Sequence, residues 1–162
     1  RLIDPDEGEI LIDGKNLKEH NLELYRKFIG YIPQESYLFS DTIENNIGFA
    51  VDNPTPELIE KFAKIADIHN DVMLFRDKYQ TVVGERGVML SGGQKQRICI
   101  ARALIKQPQI VIFDDCLSAL DTKTEQNILT NIEKEVANCT AIIITHRETV
   151  ASSQKRNLKP NI

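Results

Sequence analysis

Two short segments, whose first residues lie 20 positions apart, most constrain what this chain can fold into. Leu90–Gln94 places a serine and two glycines where an apolar helical pattern begins, and such a start leaves backbone N–H groups open to an anion. Ile110–Asp115 is an apolar run, typical of a buried strand, that ends in two carboxylates. Alone, the first segment also fits an ordinary capped helix. Together, the two segments predict a nucleotide-binding sheet that holds Mg²⁺ at a strand end.

Hydrophobic periodicity along the rest of the chain alternates between strand and helix. A mostly parallel sheet with helices on both faces follows from such an alternation. In chain order, we expect a strand over 9–12 closed by Asp13-Gly14, a helical turn over 22–27, a strand over 28–32, helices between 42 and about 79 with Pro56 in a first turn, a helix from Ser91 to about Lys106, a helix capped by Asp121 and continuing to about Ala137, and a strand over 140–145.

Composition narrows the function. The chain has 162 residues, of which 41% are hydrophobic and 27% charged, enough for one core. A net charge of −4 with both signs interspersed disfavours a nucleic-acid-binding surface. No apolar run approaches the roughly 18 residues of a membrane span. Cys99, Cys116 and Cys139 lack metal-ligand spacing, so we expect reduced thiols in a cytosolic compartment.

The two segments resemble the signature motif and the Walker B strand of ABC-type ATPases. The resemblance extends from Arg1 to about His146 and is closest to the nucleotide-binding domain of an ABC exporter. It implies an α/β fold of the P-loop NTPase (RecA-like) type, with a parallel sheet core and an inserted α-helical subdomain, incomplete at both ends. The expected division is a partial core over 1–41, a helical subdomain over 42–106, the rest of the core over 107–146 and a polar tail over 147–162.

The same resemblance assigns a catalytic group and a metal site. Gln34 lies in a stretch similar to the Q-loop, where its amide would reach both Mg²⁺ and the attacking water. Asp114 would hold Mg²⁺, and Asp115 stands at the position of the catalytic carboxylate. His146 matches the switch histidine that contacts the γ-phosphate of ATP.

A second set of residues implies partners. Ser91, Gly92, Gly93 and Gln94 would bind the γ-phosphate of an ATP held by a second nucleotide-binding domain, packed head to tail. Asp121 ends a stretch similar to the D-loop, which crosses to that partner. Val83–Gly87 resembles the X-loop of exporters, which, with the Gln34 loop, would contact a transmembrane domain. This places the chain at the cytoplasmic face of a membrane.

Three departures from the family pattern qualify these expectations. The sequence contains no G-x-x-x-x-G-K followed by Ser or Thr, the loop that supplies most phosphate contacts, so we expect the chain alone to be inactive. Asp115 replaces the usual glutamate and withdraws the carboxylate by one methylene. The resemblance ends near Gln154. An internal fragment of a longer exporter subunit fits the first and the third departures.

The sequence leaves three functions open. The first is ATP hydrolysis that powers export. The second is a non-catalytic module with a degenerate site, which supplies its signature motif to a different partner; Asp115 favours such a heterodimer. The third and weaker hypothesis is a soluble ABC ATPase of DNA repair or translation, which the stretches at 31–43 and 83–87 disfavour.

Overall fold

The helices and strands alternate along the chain in the way the periodicity predicts. A computed structural model describes residues 4–84, 87–135 and 139–145. In these ranges the elements are β1 (Leu11–Ile12), β2 (Lys15–Asn16), α1 (Leu22–Lys27), β3 (Ile29–Ile32), α2 (Ile43–Gly48), α3 (Pro56–Ile65), α4 (His69–Leu74), α5 (Gly92–Leu104), β4 (Ile110–Asp114), α6 (Thr122–Glu135) and β5 (Thr140–Ile144), with 3₁₀ turns at Leu17–Glu19 and Lys78–Gln80.

The central sheet has three parallel strands in the order β3-β4-β5. Tyr31 is in register with Ile112, which in turn faces Ile142. Parallel strands separated by helical connections place all their carboxyl ends at one edge of the sheet. The ends of β3 and β4 therefore lie side by side, although they are far apart in sequence.

A short hairpin precedes the sheet. β1 and β2 pair antiparallel through Asp13 and Gly14, whose φ angles of 50° and 75° are those of a tight hairpin turn. The predicted turn is confirmed, while the predicted strand over 9–12 is shorter and covers only Leu11–Ile12.

The long helix α5 lies at the centre of the molecule. It packs against α2, α3 and β3, and its side chains Ile98, Ile100 and Leu104 are fully buried. Each such side chain contributes roughly 1.5–3 kcal/mol by burial. Gly30 in β3 permits the close approach, because a Cβ there would lie 3.0 Å from the carbonyl oxygen of Ala103.

Side chains cap four helix starts, and those of Ser91 and Asp121 confirm the predicted caps. The side chains of Thr42, Thr55, Ser91 and Asp121 each accept a hydrogen bond from a backbone N–H in the first turn of α2, α3, α5 and α6. Pro56 occupies the first turn of α3, as predicted.

One face of the sheet departs from expectation. Helices were expected on both faces, but Tyr31, Ile142 and Ile144 remain 54%, 45% and 48% exposed. Within the described ranges, α5 covers only the face that carries Ile32, Val111 and Phe113. No helix in these ranges is long and apolar enough to cross a membrane.

Candidate functional site

Three predicted residues meet at the carboxyl edge of β3 and β4. Asp114 ends β4, and Asp115 follows it. Gln34 lies two positions beyond β3, and its Nε2 donates a 3.0 Å hydrogen bond to Oδ2 of Asp115, 81 residues away in sequence. The hydroxyl of Tyr31 donates to Oδ2 of Asp114 at 2.7 Å, and this hydrogen bond raises the pKa of Tyr31. We call Gln34, Asp114 and Asp115 the carboxylate cluster.

Asp115 has an unusual backbone that fixes its side chain. Its φ of 46° lies in the left-handed region, which Asp adopts more readily than most residues. Its N–H donates to the carbonyl of Ile144 at 2.9 Å, and its carbonyl accepts from the Ser118 hydroxyl at 2.7 Å. Its Oδ1 is buried and has no hydrogen-bond partner among the described residues. This oxygen therefore retains its capacity to accept a hydrogen bond, although it is closed off from solvent in this conformation.

The carboxylate cluster fits Mg²⁺ as a cofactor. Mg²⁺ is usually held by one or two carboxylates together with substrate phosphates and waters, rather than by a cage of protein ligands. Asp114, at the end of β4, supplies such an oxygen, and the Gln34 amide lies beside it in the same cluster. The described residues contain no group of three or more His, Cys, Asp and Glu that could hold a metal ion.

The residues that open α5 form a separate exposed surface. The hydroxyl of Ser91 accepts from the N–H of Gln94 at 3.2 Å, while Oε1 of Gln94 accepts from the N–H of Ser91 at 3.0 Å. This reciprocal capping box fixes the turn. A Cβ on Gly92 would meet nothing within 4 Å, whereas one on Gly93 would lie 3.5 Å from Leu120. The loop Ser91–Gln94, which we call the signature loop, thus presents open space at Gly92.

The amide of Gln94 already has protein partners at both ends. Besides accepting from Ser91, it donates through Nε2 to Oδ1 of Asp71 at 3.0 Å. Because an amide group has two N–H donors and two acceptor lone pairs, one donor and one lone pair of Gln94 remain for a further partner such as a nucleotide.

Asp121 caps α6 and remains exposed. Its Oδ1 accepts from the N–H groups of Lys123 and Thr124 at 3.1 and 3.0 Å. Hydrogen bonds, first of all from the Thr124 side chain, lower the pKa of Asp121. Its carboxylate is therefore ionised at neutral pH.

Some predicted site residues lie outside the described ranges. These are His146, and Glu85 and Arg86 within the predicted contact loop Val83–Gly87. The described start of that loop is anchored, since the N–H of Val83 donates to the carbonyl of Asp41 at 2.9 Å.

A buried glutamine that sequence analysis missed joins the two regions. Gln96 in α5 is only 1% exposed, donates to the carbonyl of Pro33 at 3.2 Å and accepts from the Ser36 hydroxyl. The loop that carries Gln34 is thereby tied to α5. The sequence signal for Gln96 is a polar residue in the apolar stripe of α5 that continues with Ile100 and Leu104.

An aromatic surface lies next to the Gln34 loop. The rings of Tyr37 and Phe39 are 5.3 Å apart and those of Phe39 and Phe49 are 4.5 Å apart. Tyr37 and Phe49 are 66% and 67% exposed. The Arg102 guanidinium lies 5.2 Å from the Phe39 ring and borders an adjoining groove of about 220 Å³ that also contacts Tyr37 and Cys99. Tyr37, Phe39 and Phe49 are called the aromatic surface below.

Comparisons with known proteins show the family to which the chain belongs. Residues 1–118 match the family model described as ABC transporter. The chain is 47% identical over 151 residues to ABC transporter B family member 24, mitochondrial, of Arabidopsis thaliana, covering 93% of this chain and 22% of the relative. It is 51% identical over 141 residues to the multidrug resistance-like ATP-binding protein MdlA of Buchnera aphidicola, covering 86% of this chain and 24% of that protein.

A solved structure gives the same result. The structure of a bacterial Atm1-family ABC exporter with ATP bound superposes with a TM-score of 0.87 at 42% identity, covering 94% of this chain and 27% of that one. Sheet, inserted helices and strand-end carboxylates thus define the class as an ABC-type ATPase domain with the P-loop NTPase fold. The chain belongs to the ABC transporter family. It spans about a quarter of the length of the relatives named above.

Proposed function

We propose that this chain is the part of an ABC exporter that binds and hydrolyses ATP, at the cytoplasmic face of a membrane. The observation that carries the proposal is the carboxylate cluster, where Gln34 donates to Asp115 beside Asp114. The family match and the likeness to an exporter solved with ATP bound support it. The soluble repair or translation hypothesis loses support, because the relatives named above are transporters.

In this proposal each residue of the carboxylate cluster has one task. Oδ1 of Asp115 accepts a hydrogen bond from the attacking water and draws off its proton. Gln34 holds the other oxygen of Asp115, which keeps the carboxylate directed at the water. Asp114 is the residue that would hold Mg²⁺, which, when bound, neutralises charge on the phosphates. His146 is proposed to contact the γ-phosphate.

The signature loop is proposed to act on a second domain. Ser91–Gln94 opens α5, whereas Asp114 ends β4 and Gln34 follows β3, and we infer that the two groups act in different sites. The open space at Gly92 suits a phosphate brought by another molecule. We therefore infer a head-to-tail pair of nucleotide-binding domains, in which Ser91, Gly92 and Gly93 complete the partner's site and Asp121 lies near the contact.

The aromatic surface and the loop Val83–Gly87 are the proposed contacts with a transmembrane domain. Tyr37 and Phe49 expose large apolar rings, and such rings are enriched at protein interfaces. Tyr37 lies in the segment that follows Gln34, and Phe49 contacts that segment through the ring of Phe39. A membrane domain docked on Tyr37 would contact a residue only three positions after Gln34 of the carboxylate cluster.

Hydrolysis is tested in the purified exporter. Asp115→Asn retains the shape and backbone preference of Asp115 but removes the proton acceptor, so phosphate release falls at least tenfold. Glu60→Gln, which alters a half-buried carboxylate on α3 paired with Lys64, leaves the rate within a factor of two. Equal rates for wild type and Asp115→Asn would contradict the proposal. The 162-residue chain alone is expected to release no phosphate above background.

The second candidate, a degenerate site in a heterodimer, is favoured by Asp115 itself. An aspartate at this position holds its carboxylate about 1.5 Å further from a water than a glutamate would, and misplacement near 1 Å lowers rates by about 10²-fold. Asp115→Glu in the heterodimer then raises turnover. Unchanged turnover would sink this candidate and leave the first one intact.

A further inference from the structure

We propose that Asp71, on α4, is a positioning residue for the signature loop, acting through Gln94 and Arg97. The inference rests on the proposed function, because it concerns how the signature loop reaches an ATP on the partner. Asp71 lies 23 residues before Gln94 and outside every motif identified in the sequence.

The Asp71 carboxylate receives three hydrogen bonds from α5. Gln94 donates to Oδ1 at 3.0 Å. Arg97, one turn further along, donates from Nη1 to Oδ2 at 2.9 Å and from Nη2 to Oδ1 at 3.3 Å. A two-pronged Arg–carboxylate pair fixes orientation as well as distance. One side chain therefore holds two successive turns of the helix that begins at the signature loop.

Arg97 extends this hold to the loop backbone. Its Nε donates to the carbonyl of Gly93 at 3.3 Å, and its Nη1 also donates to the carbonyl of Asp67. The Arg97 and Asp71 side chains are only 13% and 30% exposed, so solvent screens the pair less than a surface ion pair. Burial by itself would raise the pKa of Asp71, but the hydrogen bonds from Arg97 and Gln94 outweigh it and lower the pKa. Asp71 is thus charged at neutral pH, as the pairing needs.

The contacts continue to the helix that follows the carboxylate cluster. Asp67, whose carbonyl Arg97 holds, accepts through Oδ2 from Nδ2 of Asn127 in α6 at 3.2 Å. Its φ of 55° is left-handed, so the turn between α3 and α4 has a defined, uncommon shape. The signature loop is therefore braced between α4 and α6 rather than held only by its own capping box.

Such bracing matters because the capping box fixes only the first turn of α5, and not how that turn is directed toward another domain. Gly92 and Gly93 are conformationally permissive, yet their N–H groups must meet a phosphate that arrives on another domain. We call the hydrogen bonds of Asp71 with Gln94 and Arg97 the brace. Loss of the brace lets the signature loop sample orientations that miss the phosphate. ATP affinity before the two domains close does not involve the loop, so the effect falls on the rate of hydrolysis.

The test compares Asp71→Asn with Asp77→Asn in the full-length exporter. Asp77 is an exposed carboxylate just beyond α4, and the same chemical change there is the matched control. In Asp71→Asn, kcat falls roughly tenfold, while the Kd of a fluorescent ATP analogue measured without closure changes less than twofold. Asp71→Glu restores part of the rate because it keeps the charge. Asp77→Asn matches wild type.

Hydrogen exchange at residues 92–95, measured without nucleotide, gives a readout independent of activity. It is faster in Asp71→Asn, and faster to a lesser degree in Arg97→Lys, which keeps the charge but loses the two-pronged geometry. A folded Asp71→Asn variant with wild-type kcat, or with unchanged exchange at 92–95, overturns the inference. If Asp71→Asn does not fold, Arg97→Lys decides by the same two measurements. A wild-type protein that lacks ATPase activity refutes the proposed function. A lower kcat that is confined to Asp71→Asn and Arg97→Lys supports both the proposed function and the positioning role of Asp71.

Discussion

Adjacent glycines in the signature loop have different surroundings, although they look equivalent in sequence. A Cβ on Gly93 would make ordinary contacts with Leu120 and with the carbonyl of Ala119. A Cβ on Gly92 would meet open space. Gly93 therefore lies against the stretch that leads to Asp121, while Gly92 faces outward, where a ligand from another molecule can approach.

Gly92→Ala separates folding from function at this position. Alanine fits the vacant space and is a better helix former than glycine, so the thermal midpoint of the chain stays the same or rises slightly. ATPase activity of the exporter falls at least tenfold, because the new methyl group occupies the space that we assign to the phosphate. Gly93→Ala is the comparison, and equal activity of Gly92→Ala and wild type would show that no ligand approaches Gly92.

At the scale of elements, buried polar side chains hold the helices in place. Asn46 in α2 is 1% exposed; it accepts from the N–H of Phe39 at 2.9 Å and donates to the carbonyl of Phe39 at 3.0 Å. Arg102 in α5 donates to Oδ1 of Asn46 at 2.7 Å. Unpaired groups of this kind destabilise a fold by roughly 1–3 kcal/mol each, so such networks specify how α2 and α5 dock.

The contact between α4 and α5 has a pH dependence with a definite sign. The pKa of Asp71 is lower in the folded chain than in the unfolded one, so the folded state binds fewer protons there. Its stabilisation is complete above the unfolded pKa, about 3.9, and is lost as pH falls through the lower folded value. Between pH 6 and 3, the thermal midpoint of wild type therefore drops more steeply than that of Asp71→Asn. Parallel curves would contradict the assignment.

At the scale of the whole molecule, α5 links the proposed surfaces. Its first turn carries the signature loop, its Gln96 holds the loop of Gln34, and its Arg102 supports the aromatic surface. A displacement of the aromatic surface by a docked domain would thus act on the same helix that positions the signature loop.

Phe49→Ser tests whether the aromatic surface serves docking. Phe49 is 67% exposed, so its removal changes the free energy of unfolding little, while it deletes much of the apolar surface offered to a partner. We expect transport by the exporter to fall several-fold. Leu74→Ser, at an 87% exposed residue at the end of α4, is the control with an equivalent loss of apolar surface. Equal transport by both variants would place docking elsewhere.

The sequence by itself determined the elements, their caps and the residues at the ends of β3 and β4. Caps and periodicity are local, which is why the helix starts at Pro56 and Ser91 were predictable. The roles of Gln34 and Asp115 were expected from the resemblance to ABC-type ATPases, and their hydrogen bond was not predicted. The short β1 strand and the exposed face of the sheet could not be predicted from the sequence, because they depend on which other elements pack against them.

Only the tertiary structure decided which distant polar groups pair. Tyr31 meets Asp114 across 83 residues, and Asp71 meets Arg97 across 26. Periodicity shows which face of a helix turns inward, but it does not give the register and crossing angle at which two helices dock. Hydrogen bonds act over about 3 Å, so a small change in register or crossing angle decides which side chains pair. The pairing of Asp71 with Gln94 and Arg97 is selected in this way.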